Sequence, residues 1–291
     1  ASDHAIYMAR GIPAVIFNTW PDYWYHSSQD TPDKLDSTMF KRAAVVSVGA
    51  MAVLAGADDP MALRVAVDAL GRGAERMAAN QRKGLGYIAD ITGADQLAQA
   101  YKDARATVRH QANVEKAVVK SSGVLFASPE AGARQLAVFD PLIEARTAAL
   151  MNEVAATFKL AAATWKTPAT EPLPTDLEKQ AARLVVERVP PPAGGAGGPG
   201  GGFGSGGFGG PQNREVAAAM QKIPQHMRSE LSPLLGRKMT ALEIRDFLTG
   251  EFEPVPLEDV MNYLRAAEKA GTIKLTERPE PAKPSSRVRK P

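Results

Sequence analysis

The spacing of apolar residues divides the chain into stretches of different character. Residues 3–10 can close a short helix, with Ser2 as N-cap and Gly11 as its stop. Residues 12–17 form a continuous, β-branched apolar run that ends at polar Asn18 and Thr19. That pattern predicts a strand covered on both faces in a mostly parallel sheet. Residues 20–33 hold prolines, aromatics and acids without a period, and read as a loop. Helical spacing returns over 37–57, with Ser37 as the expected N-cap and Met39, Phe40, Ala43, Val46 and Ala50 on its apolar side. Helix, strand, loop and helix make one closing unit of an α/β fold. The stretch 43–57 is alanine-rich and broken by glycine, short of the roughly 18 to 20 apolar residues of a membrane span, and predicts a buried helix.

From residue 60 to about residue 167 the period is 3.6, as in Leu63, Val67 and Leu70, then Leu97, Tyr101 and Ala104. Breaks are expected at Gly71 to Gly73, at Gly84-Leu85-Gly86, at Ile91-Thr92-Gly93 and at Ser128-Pro129. Three to five antiparallel helices follow from this. Residues 168–193 are proline-rich, with one amphipathic piece at 176–186. Residues 194–210 contain little but glycine and predict a flexible linker. Helical spacing resumes at 214–222, 225–235, 240–252 and 257–270, before an alternating strand at Ile273-Lys274-Leu275. Three helices and a short strand of this size resemble a winged helix-turn-helix.

The fold class expected is thus an α/β fragment, the end of a mostly parallel sheet domain, followed by an α-helical bundle and a small winged-helix-like α+β module. The boundaries are 1–57, 58–167, a disordered Pro/Gly-rich linker at 168–212, 213–278 for the module, and a disordered basic tail at 279–291.

Composition changes this picture little. The 291 residues are 44% hydrophobic, enough for a sizeable core, and the length fits about two domains. A net charge of +3 is a weak argument for nucleic acid, even with a sequence pI near 9.0. The helix expected at 257–270 sets Glu258, Asp259 and Glu268 against Arg265 and Lys269, a face a DNA duplex would repel. No nucleic-acid partner is expected, and protein docking is the better use of that module. The absence of cysteine excludes disulfides and thiolate metal sites. The glycine tract lacks the Gly-Lys-Ser/Thr ending of a phosphate loop.

The chemistry concentrates in Trp24-Tyr25-His26-Ser27-Ser28-Gln29-Asp30-Thr31, with Ser2-Asp3-His4 and Gly11-Ile12-Pro13-Ala14-Val15 before it and Leu35-Asp36 after it. His26 follows a predicted strand, at the edge where open α/β sheets place their sites. A neutral imidazole there is a good first-row metal ligand, and a carboxylate such as Asp22 or Asp30 could orient its second nitrogen.

These segments are similar to the C-terminal end of the catalytic domain of the two-zinc exopeptidases, the family of bacterial aminopeptidases, glutamate carboxypeptidases and glutaminyl cyclases. The resemblance covers the first ~57 residues. It implies that His26 is the last metal ligand and that Tyr25 is the phenol that steadies the oxyanion. Ser2 and Asp3 would line the substrate side, with two zinc ions in the intact domain and a peptide as substrate. The family's other ligands and its glutamate base precede this segment, so the chain is expected to be a fragment, inactive alone, of an exported parent.

The competing readings are a non-catalytic scaffold relative of the fold and a regulator acting through the C-terminal module. A homodimer through the helical region is a further expectation. His110 is expected in a solvated or bundle-edge role, and His226 at a helix start.

Overall fold

The structure is a computed structural model and describes residues 4, 7, 10, 12, 14–18, 22–25, 27–189 and 211–278. Four helices occupy the first half beyond the loop: α1 (Ser37–Gly56), α2 (Asp59–Ala89), α3 (Leu97–Ser121) and, after a short turn, α4 (Pro129–Leu136). They are followed by α5 (Asp140–Thr164), α6 (Asp176–Arg183) and β1 (Leu184–Arg188). The C-terminal part comprises α7 (Pro211–Gln221), α8 (Arg228–Leu235), α9 (Ala241–Glu251), α10 (Leu257–Lys269) and β2 (Ile273–Glu277).

Helix α1 starts one residue earlier than expected. Its N-cap is Asp36, not Ser37, because the Asp36 carboxylate accepts the N–H groups of Thr38 and Met39 at 2.7 and 3.3 Å. The expectation of burial fails: no residue of α1 is buried, and Phe40, Val45, Val48 and Leu54 are exposed. Of residues 12–17, expected as a buried strand, the described 12 and 14–17 adopt no regular structure, and Val15 and Phe17 are exposed. A strand persists only where a neighbour takes up its N–H and C=O groups. Among the described residues the one sheet is β1–β2, and nothing pairs with 14–18. Helix α1 is, by length and composition alone, apolar enough to cross a membrane. Core helices of soluble proteins meet the same test, so this assigns it no membrane role.

Helix α3 is the centre of the bundle, packed between α2 and α5 and covered on a further side by α9. Two apolar clusters hold it. One joins Ile88, Leu97, Tyr101, Ala104, Val154 and Phe158, with Tyr101 stacked on Phe158 at 4.2 Å. The other joins Ala62, Ala66, Met77, Val119, Phe126 and Ile143. Each large side chain removed from water in this way contributes about 1.5–3 kcal/mol.

The glycines of α2 do not break it. Gly71, Gly73, Gly84 and Gly86 lie inside one continuous 31-residue helix. At Gly84 a Cβ would stand 3.1 Å from the Ala104 Cα, and at Gly73 it would stand 2.6 Å from the Glu115 carboxylate. The missing side chains let α3 approach closely, which offsets the cost of glycine in a helix of roughly 1 kcal/mol per residue. The first half of α2 accordingly buries its small residues, Ala62, Ala66 and Gly73, while Leu63 and Val67 remain exposed, and the second half buries Met77, Gly84 and Ile88.

The expected linker at 168–212 is partly ordered. Thr175 and Glu178 form a capping box that starts α6, and the chain runs on directly into β1. β1 pairs antiparallel with β2, from Leu184 opposite Glu277 to Arg188 opposite Ile273. Val186 N–H also donates to the Met239 carbonyl at 2.8 Å. Both α6 and β1 therefore belong to the C-terminal module, whose core gathers Val186, Ile223, Met227, Leu231, Ile244, Leu248, Met261, Leu264 and Ile273. The expected disorder at 190–210 and 279–291 lies outside the described residues.

Candidate functional site

The loop from Asp22 to Asp36 is built by its own short-range hydrogen bonds. Asp22 Oδ1 accepts the Trp24 N–H at 3.0 Å, and the Ser27 hydroxyl donates to the Trp24 carbonyl at 2.7 Å. Asp30 N–H donates to the Ser27 carbonyl at 3.2 Å, and Thr31 N–H to the Gln29 carbonyl at 2.9 Å. A single 3₁₀ turn, Pro32–Lys34, then leads to the Asp36 cap. Lys34 lies 5.3 Å from the Trp24 ring centroid, a cation–π contact that ties the end of the loop to its aromatic start. Lys34 and Thr31 both bond the Asp33 carboxylate and hold its pKa below the usual value.

Of the residues expected to act, Tyr25, Asp22 and Asp30 are described, and all three are exposed. Asp22 uses one carboxylate oxygen to fix the backbone of Trp24. His26, Ser2 and Asp3 lie outside the described residues. Among the described residues, no three His, Asp or Glu side chains gather where they could hold a metal ion. A zinc pair needs several such donors with at least one open position. The described residues do not supply that set.

The densest polar arrangement lies elsewhere, where α3 meets α9. Arg245 is buried, and its guanidinium pairs with Asp103, with Asp246 Oδ1 at 3.0 Å and with the Val255 carbonyl at 3.0 Å. Burial pushes the Asp103 and Asp246 carboxyls up from the ordinary value, and Arg245 opposes this in both. Burial likewise disfavours the Arg245 charge, but the two aspartates more than restore it and raise its pKa. Beside this network, His110 Nε2 lies 2.9 Å from Glu251 Oε2, and its ring meets Phe247 edge-on at 4.7 Å. His110 is buried rather than solvated, because Gly250 of α9 leaves no side chain in its way.

Sequence reasoning missed this junction. One signal was present: Asp103, Thr107, His110 and Gln111 form a polar stripe at helical spacing on α3, and all four are buried. A buried polar stripe on a helix calls for a polar partner helix.

Comparison with known proteins adds one result. No curated protein and no solved structure matches the chain. Residues 1–51 match the model of Peptidase family M28, and for that segment the match supports a peptidase-like zinc metallohydrolase at a coarse level.

Proposed function

We propose that the first 57 residues are the closing part of the catalytic domain of a zinc-dependent exopeptidase, aminopeptidase-like or carboxypeptidase-like. The observation that carries the reading is the family match over residues 1–51, which includes the whole Tyr25–Asp30 loop. In this reading His26 is a zinc ligand, and zinc when bound supplies an ionised water as nucleophile. Tyr25 is the donor to the developing oxyanion, and its exposure on the loop leaves it able to reach a substrate carbonyl. Asp22 and Asp30 keep the loop in shape. Asp22 does so through the Trp24 N–H, and Asp30 through its own backbone bond to Ser27. By the resemblance, Ser2 and Asp3 belong to the segment that binds substrate.

The C-terminal module is read as a protein-docking element. The acidic residues Glu258 and Asp259 in the first turn of α10 support this over a DNA-reading role.

The test is hydrolysis of amino-acid p-nitroanilides and acyl-glutamate peptides by the natural full-length protein, with zinc content measured alongside. Tyr25→Phe is expected to lower kcat about 100- to 1,000-fold with zinc retained, the effect typical of losing an oxyanion donor. His26→Ala is expected to lose bound zinc. Unchanged turnover in Tyr25→Phe would remove Tyr25 from the mechanism. Full zinc retention in His26→Ala, or no hydrolysis of any peptide by the full-length protein, would leave a non-catalytic scaffold as the better reading.

A further inference from the structure

An open cleft of about 670 Å³ lies between α3 and α9. Arg109 of α3, Arg237 and Lys238 from the turn after α8, and Arg278 just past β2 line it. Two carboxylates share the lining, and both are engaged. Glu243 accepts the Thr240 N–H at 2.6 Å in a capping box, and Asp246 accepts Arg245 Nη1 at 3.0 Å. Lys238 reaches Glu187 at 3.5 Å. Arg109 acts on Asp246 through space. Among the described residues, Arg109, Arg237 and Arg278 have no carboxylate at ion-pair distance.

The local geometry holds these groups in place. The Arg237 guanidinium lies 5.7 Å from the Phe247 ring centroid, and Phe247 is itself braced by His110. Lys238 has φ 52°, a left-handed conformation that costs energy in a residue with a side chain. That strained residue turns the chain out of α8 and leaves Arg237 and Lys238 on the cleft wall.

We propose that this cleft binds a phosphate group carried on a small organic molecule. Gathered like charges repel one another, so an anionic occupant lowers the energy of the grouping. Guanidinium forks from three separate elements offer more donors than the two oxygens of a carboxylate can accept. A phosphate presents three or more oxygens and up to two charges. Phe247 and Met239 add apolar surface for the organic body. The volume lies within the roughly 300–1,000 Å³ of small-molecule sites. A nucleic-acid backbone would need a longer basic strip. Along α3, however, Arg105 is paired with Glu171 and Lys116 with Glu144, on either side of Arg109.

The experiment is isothermal titration of the 291-residue protein with phenyl phosphate, inorganic phosphate, benzoate and a single-stranded RNA oligonucleotide. Phenyl phosphate is expected to bind saturably and more tightly than inorganic phosphate or benzoate. Arg109→Gln, Arg237→Gln and Arg278→Gln are each expected to weaken it about 10-fold or more, the loss of a charge-assisted hydrogen bond. Lys159→Gln, exposed on α5 and outside the cleft lining, is expected to leave it unchanged. All three arginines are exposed, and thermal unfolding of each variant checks its folding. Equal weakening by Lys159→Gln, equal affinity for inorganic phosphate, tighter binding of benzoate, or binding of the RNA alone would each overturn the proposal. No saturable binding of phenyl phosphate would overturn it as well.

Discussion

Replacing Arg245 by methionine isolates the contribution of the α3–α9 junction. Arginine and methionine have similar helix propensity and comparable length, so α9 itself should be little affected. The substitution removes the partner of Asp103, whose side chain is 6% exposed, and of Asp246, whose side chain is 38% exposed. It also strips the Val255 carbonyl of its donor. Removing one member of a buried ion pair costs about 3–5 kcal/mol, most of it the burden of the charge left behind. Asp246 can turn to water, so Asp103 carries most of this loss. The second variant, Asp103→Leu with Arg245→Met, leaves no buried charge uncompensated there, since Asp246 is the more exposed carboxylate. Its stability should return to within about 1–2 kcal/mol of the parent. Urea unfolding followed by circular dichroism measures both, and hydrogen exchange of the α9 amides locates the change. A single-variant loss below about 1 kcal/mol, or a double variant no better than the single, would refute the account of Arg245 as the counter-charge of a buried acid.

Two further outcomes follow from the same junction. Asp103 and Asp246 have pKa values raised by burial, so the folded state holds their protons more tightly than the unfolded state. Their contribution to stability is therefore fully present below the ordinary carboxylate value of 3.8 and is lost as pH rises through the raised values. Removal of Arg245 raises them further, so the deficit of Arg245→Met should shrink between pH 7 and pH 4. A deficit that stays constant or grows in urea titrations across that range would contradict the sign. Gly250→Ala places a Cβ 2.3 Å from the His110 Cβ, a distance no packing tolerates. It should separate α9 from α3 and destabilise by about 1–3 kcal/mol or more in urea unfolding. Unaltered stability would mean that the two helices are not in close contact in solution.

Element by element, legibility followed the range of the interactions involved. Leu257–Lys269 could be read because its signals are local: Pro256 before it, apolar spacing within it, and Gly271 after it at φ 74°, where a side chain would be strained. The start of α4 at Ser128-Pro129 was equally local, with Ser128 accepting the Ala131 N–H. Gly73 and Gly84 misled because each marks a close approach of the next helix, with Glu115 and Ala104 filling the space, rather than a helix end. β1 escaped notice, its first residues falling at the end of the amphipathic piece at 176–186, since its partner β2 lies far along the chain. The candidate peptidase loop was legible through resemblance rather than periodicity, because loops carry no period. Its exposed Tyr25 and its Asp22 turn are properties of the loop alone.

By itself, then, the order of residues determined the helices, their caps and the peptidase-like character of the N-terminal segment. Those depend on neighbours within a few positions or on a contiguous motif. Only the tertiary structure decided which helix faces were covered and that Arg245 meets Asp103. It alone brought Arg109, Arg237 and Arg278 to one cleft. Each of these joins residues separated by a long loop of chain. Their pairing is selected by the packing of whole helices, which no local pattern encodes.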